Sequence, residues 1–168
     1  MISLISRIEN PSPWDYLGMK LFDVLGGAAK AVLRSRDEHC PPHVHVGHKG
    51  EGWEAKIRFS YVDDSVSLME VYPMRGRPSV ATINAVMAEV RADLAICRSA
   101  WSAVVGDLDL VNRWFDVPAQ GKVALLARRT KEAKRVRSAS YDAGRDIVTL
   151  RFEDGSSHMM KAGTGEVE

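Results

Sequence analysis

Apolar and polar residues alternate most cleanly along "WEAKIRFS". Trp53, Ala55, Ile57 and Phe59 fall on one side, and Glu54, Lys56, Arg58 and Ser60 on the other. A period of two is that of a strand with one buried face. Weaker versions of the pattern predict strands at 21–25, 28–35, 43–48 and 65–72. Gly26-Gly27, 49–52 and Asp63-Asp64 serve as the turns between them. The diproline Pro41-Pro42 forbids regular structure in the loop at 36–42. Residues 10–14, "NPSPW", read as a turn before the first strand.

After a break at 73–78 the period changes. Val80, Ile83, Met87, Val90, Leu94, Cys97, Trp101 and Val104 recur at spacings of three and four, with Ser79 as N-cap and Gly106 as the stop. This predicts one long amphipathic helix over 79–105, lying across the open face of the preceding sheet. Beyond it, 108–115 suggests a short helix and 116–121 a linker. The segment 122–135 suggests a helix with a basic end. Strands are predicted at 136–141, 146–152 and 156–161, the last two joined by Asp154-Gly155, with a frayed glycine-rich tail from Ala162. The expected fold is therefore α+β: an antiparallel β-sheet covered by one long amphipathic helix, plus a small C-terminal three-stranded β-module. The expected units are 1–116, a linker or basic helix at 117–133, and 134–168.

Composition adds limits. At 45% hydrophobic and 27% charged residues, the chain can bury a core and is not a disordered tract. Net charge is +1, so the global balance argues neither for nor against nucleic acid. Cys40 and Cys97 are too few for a disulfide framework. Glu9, Pro11, Pro13 and Asp15 interrupt any apolar run near the start, and no window is apolar enough to span a membrane. The expected location is the cytoplasm, with no membrane partner.

Four of the five histidines lie within 38–48, "EHCPPHVHVGH". On a strand His43 and His45 share one face and Val44 and Val46 the other. With the valines in the core, the imidazoles are expected to look outward onto a polar face. Two such histidines can hold zinc if a third ligand joins them. His39 is the first choice, folded back by the diproline, with Glu38 and Cys40 as alternatives. His48 falls on the valine side. No cofactor is expected for a binding role, with zinc as the possible exception. Cys40 beside His39 makes a poor nucleophilic pair, because such pairs are usually distant in sequence, and no catalytic residue is assigned.

The second concentration of chemistry is "ARRTKEAKRVR". Arg128, Arg129, Lys131, Lys134, Arg135 and Arg137 face only Glu132. On a helix Arg128, Lys131 and Arg135 would share a face able to neutralise phosphates. No stacking aromatic is interleaved with them, so nucleic acid is the second expectation for a partner, behind protein.

Residues Glu38, His39, Pro41, Pro42, His43, His45, Val46, Glu54, Ala55 and Lys56 together resemble the signature of a bacterial family, domain of unknown function 4160, over about 21–105. Val136, Leu150, Phe152, Asp154 and Gly155 resemble domain of unknown function 2442. Cys40 and the long "YVDDSVSLMEVYPMRGRP" crossing depart from the first pattern. Members of the two families are often encoded side by side in bacteria and phages. The resemblance implies a toxin–antitoxin-like or phage-defence setting. In that setting the chain would be a non-enzymatic binding or regulatory protein. Glu38, His39, His43, His45 and the six basic residues are then the candidate contacts. The alternative is a zinc-dependent hydrolase or nuclease using His43 and His45.

Overall fold

The computed structural model describes residues 18–34, 38–73 and 76–168; the turn expected at 10–14 lies outside them. The alternating segments become β1 (Gly18–Val24), β2 (Ala29–Arg34), β3 (His43–His48), β4 (Trp53–Phe59) and β5 (Val66–Tyr72). They form an antiparallel five-stranded sheet in sequential order, each strand beside its neighbour in the chain. The first hairpin closes through a 3-10 turn at Leu25–Gly27, where Gly26 takes φ +63°. Register pairs Val44 with Ile57 and Val46 with Ala55, and these four side chains are fully buried.

The long helix does not form. Its place is taken by α1 (Val80–Ala92) and α2 (Leu94–Val104), of 13 and 11 residues. The apolar stripe runs through both, which is why the sequence reads as one helix. Asp93 interrupts it with φ −109° and ψ 25°. The Asp93 N–H donates to Glu89 and Val90 carbonyls, and its own carbonyl accepts from Ile96 and Cys97, so one residue ends α1 and starts α2. The break lets the two halves serve different neighbours. Helix α1 lies against β4 and β5, and α2 against β1, β3 and a strand of a second sheet.

That second sheet overturns the α+β expectation. Trp114–Asp116, Ala124–Leu126, Lys134–Asp142, Ile147–Phe152, Ser157–Lys161 and Glu166–Val167 form strands β6 to β11. Their order is β10-β9-β8-β6-β7-β11, and the molecule is mostly β. The expected three-stranded module is thus half of a six-stranded sheet. Neither helix expected at 108–115 or 122–135 is present. Both contribute strands, because Trp114, Phe115 and Ala124–Leu126 find their backbone partners in one another, in β8 and in β11. Strands of two or three residues carry no periodicity, so the apolar "VALLA" suggests a helix when seen alone.

The tail is not frayed. Gly163 N–H donates to Tyr61 O and Gly165 N–H to Val62 O, seating it on the loop after β4. A Cβ at Gly165 would lie 2.7 Å from Val62 Cγ1 and 2.9 Å from Val62 O. Gly165→Ala is accordingly expected to cost about 1–3 kcal/mol through overpacking, read as a lowered thermal midpoint. An unchanged midpoint would mean that the tail is not held there. Buried side chains of both sheets and both helices form one continuous core.

Candidate metal centre

On β3 the two-residue period places His43 and His45 on one face, and register adds Glu54 of β4 to the same face. The outward expectation fails, since His43 is 1% exposed and His45 2%. The carboxylate of Glu38 lies over the pair, and the Trp101 ring stands 5.3 Å from that of His43. The side that alternation marks as wet is thus covered by residues from outside the hairpin.

Each imidazole is held through Nδ1. His43 Nδ1 is 2.9 Å from Pro41 O, and His45 Nδ1 is 2.8 Å from Glu54 Oε1. Neither oxygen can donate, so both Nδ1 atoms carry the proton and both Nε2 atoms point away from it. Glu54 is in turn paired with the Arg34 guanidinium, while the Arg34 backbone N–H donates to Glu38 Oε1. His43 Nε2 lies 3.0 Å from Glu38 Oε2, and His45 Nε2 3.6 Å from Glu38 Oε1. These contacts lack hydrogen-bond geometry. Glu38 Oε2, His43 Nε2 and His45 Nε2 are all buried without a hydrogen-bond partner. One donor atom from each of the three residues lies within 4.8 Å of the others, a spacing suited to one shared ion.

The charges are those of a cation site. The Arg34 guanidinium pairs with Glu54, and among the described residues the Glu38 carboxylate faces only the two imidazoles and the Arg34 backbone N–H. Burial would raise the Glu38 carboxyl, but the two imidazoles and the Arg34 N–H outweigh it and hold it at about 2. Burial would lower His45, but the carboxylates of Glu38 and Glu54 outweigh it and raise it. A histidine gripped on one nitrogen by a carboxylate or carbonyl, with the other nitrogen free, is the usual arrangement of a metal ligand.

The residue that joins His43 and His45 in the candidate triad is therefore Glu38 rather than His39. His39 is exposed, with Nδ1 3.1 Å from Cys40 O and its ring 5.9 Å from that of His43. His48 stacks on Trp53 on the valine side. Arg34 and Glu54 escape the sequence reading as members of the site. Glu54 had a signal, because the hairpin register puts it diagonally across from His45.

Cys40 turns away, its Sγ 3.8 Å from Asp107 O. Burial and the Asp107 carboxylate push its thiol up to about 11, and burial pushes Cys97 up to about 12. Cys40 of the native chain is expected to react with a disulfide reagent at pH 8 roughly a hundredfold slower than free cysteine, and the fully buried Cys97 more slowly still. Labelling at the free-thiol rate would contradict this placement.

The basic residues do not share a helix face. Arg128, Arg129 and Lys131 lie in the exposed β7–β8 loop, and Lys134, Arg135 and Arg137 on β8. Among the described residues no helix is long and apolar enough to cross a membrane. No family model matches the chain, and neither a curated protein nor a solved structure matches it.

Proposed function

We propose that the chain is a mononuclear metal protein, with zinc bound by Glu38, His43 and His45 and used for hydrolysis. The observation that carries this is the meeting of three buried donor atoms, one of them a carboxylate oxygen, none with a hydrogen-bond partner among the described residues. Leaving such atoms unsatisfied costs about 1–3 kcal/mol each, and a shared cation removes that cost. Two imidazoles and one carboxylate form a donor set of catalytic zinc, which leaves a position for water. Zinc bound there would supply a Lewis acid and a water acidified to a pKa of about 7. The chain's own residues hold the ligands in place. Pro41 O and Glu54 fix the two tautomers, and Arg34 anchors both carboxylates. Beside Glu54 a cleft of about 270 Å³, lined by Arg34, Glu54, Lys56, Glu70 and Tyr72, opens on the same side of the sheet.

Metal analysis of the purified chain tests the reading, with about one equivalent of zinc expected and loss of it in a His43→Ala, His45→Ala double variant. One equivalent of iron would transfer the site to oxygen chemistry, since the same donors suit Fe(II). Less than about a tenth of an equivalent of any metal, after zinc is offered, would end the proposal.

A second reading is the binding or regulatory role that the family resemblance implies. It draws support from β5, an edge strand on which Leu68 is 41% and Tyr72 60% exposed. Such an edge is a template for a partner protein's strand.

A further inference from the structure

We propose that the surface around Trp114 binds single-stranded nucleic acid. Strand β6, which carries Trp114, is flanked by β7 on one side and β8 on the other. The loop joining those two strands carries Arg128, Arg129 and Lys131. The fold thus brings to the basic run the aromatic that it lacks in sequence. The Arg129 guanidinium lies 5.1 Å from the Trp114 ring centre and that of Arg135 5.9 Å, both within cation–π reach. Arg135 is also the cross-strand neighbour of Trp114.

The charges are free to act outward. Lys134 is paired with Asp154 and Arg135 with Glu153. Arg128, Arg129, Lys131 and Arg137 are exposed, and none has a carboxylate partner among the described residues. Four cations beside an aromatic–guanidinium stack match a phosphate chain with flat bases along it. The cations neutralise phosphates, while the tryptophan and guanidinium planes offer stacking surfaces. An acidic protein would use the cations and leave the stack idle. Trp114 also lines a cleft of about 270 Å³ between the two sheets, whose wall carries Arg58 together with Asp109, Glu168 and Arg113, the last paired with Asp109. Pro42, the residue before His43, lines the same cleft, so it runs from the basic surface to the start of the histidine strand.

This inference does not depend on the zinc reading, and the experiment separates the two. A fluorescein-labelled single-stranded 20-mer, as RNA and as DNA, is titrated with the full chain in the presence of EDTA, and anisotropy is followed at several salt concentrations. The logarithm of affinity should fall against the logarithm of salt with a slope near about −3, four phosphates at roughly −0.7 each. The double variant Arg129→Glu, Lys131→Glu should bind at least tenfold more weakly. Arg145→Glu, in the turn at the far end of β8, should bind as the parent does. Trp114→Phe keeps a ring and should retain most of the affinity, whereas Trp114→Leu should lose it while circular dichroism stays native. Equal binding by the Arg129/Lys131 double variant would overturn the proposal. So would binding of polyglutamate as tight as that of the oligonucleotide, which would reduce the surface to charge alone.

Discussion

Zinc added to the metal-free chain will raise its thermal midpoint by roughly 5–11 °C once free zinc stands a hundredfold above the dissociation constant. That concentration stabilises the native state by about 2.7 kcal/mol, and a chain of this size shifts by about 2–4 °C per kcal/mol. The effect should vanish in the His43→Ala, His45→Ala variant. Glu54→Gln, which acts on the site through His45 and Arg34, should weaken zinc about 10–100-fold without abolishing it. The pH dependence has a definite sign. His45 is raised above its ordinary 6.5 in the metal-free chain. Its contribution is therefore fully present below 6.5 and is lost as pH rises through the raised value. A proton on His45 also competes with zinc. Between pH 6 and 8 the metal-free chain should weaken while zinc binding tightens, so the two midpoints should diverge. Melting curves that coincide at every pH would refute the site.

The second large effect concerns Arg98. It is 3% exposed, and its guanidinium donates to Ser60 O, Asp63 O and Asp64 Oδ1. Tyr61 donates its hydroxyl to the Arg98 carbonyl at 2.6 Å. One α2 side chain thereby ties down the loop on which the C-terminal tail is seated. Arg98→Met keeps the stem and removes the donors, leaving two partly buried carbonyls without their partner. A loss of about 1–3 kcal/mol is expected, or roughly 2–12 °C in midpoint. Asp64→Ala removes only the exposed partner and should cost less than about 1 kcal/mol. Comparable losses in the two variants would shift the weight from the carbonyls to the ion pair.

What the sequence discloses depends on how far away the deciding contact lies. Trp53, Ala55, Ile57 and Phe59 announce their strand because one flat face settles their environment. The stripe from Ile83 to Trp101 gives the buried side of the helices but not the break, since Asp93 is as compatible with a helix surface as with a junction. Ala124–Leu126 became a strand only because β6, just upstream, and β11, some forty residues on, lie on either side of it. At the site, alternation correctly put His43 and His45 together. It could not show that Glu38 folds back over them, because that depends on the path of the loop before Pro41. Trp114 and the basic run are ten or more residues apart, so their meeting belongs to the second sheet alone.

The sequential order of β1 to β5 has a consequence for biosynthesis. Every hydrogen-bonded neighbour in that sheet is the next strand along the chain, so pairing needs only short loop closures. Glu38, His43, His45, Glu54 and Arg34 all lie within β2 to β4 or the loop between. During translation at about 5–20 residues per second, this meander leaves the ribosome before β6 has been made. Under the zinc proposal, a nascent chain would already hold the complete donor set, and a captured ion would make the meander a rigid template for α2 and the later sheet.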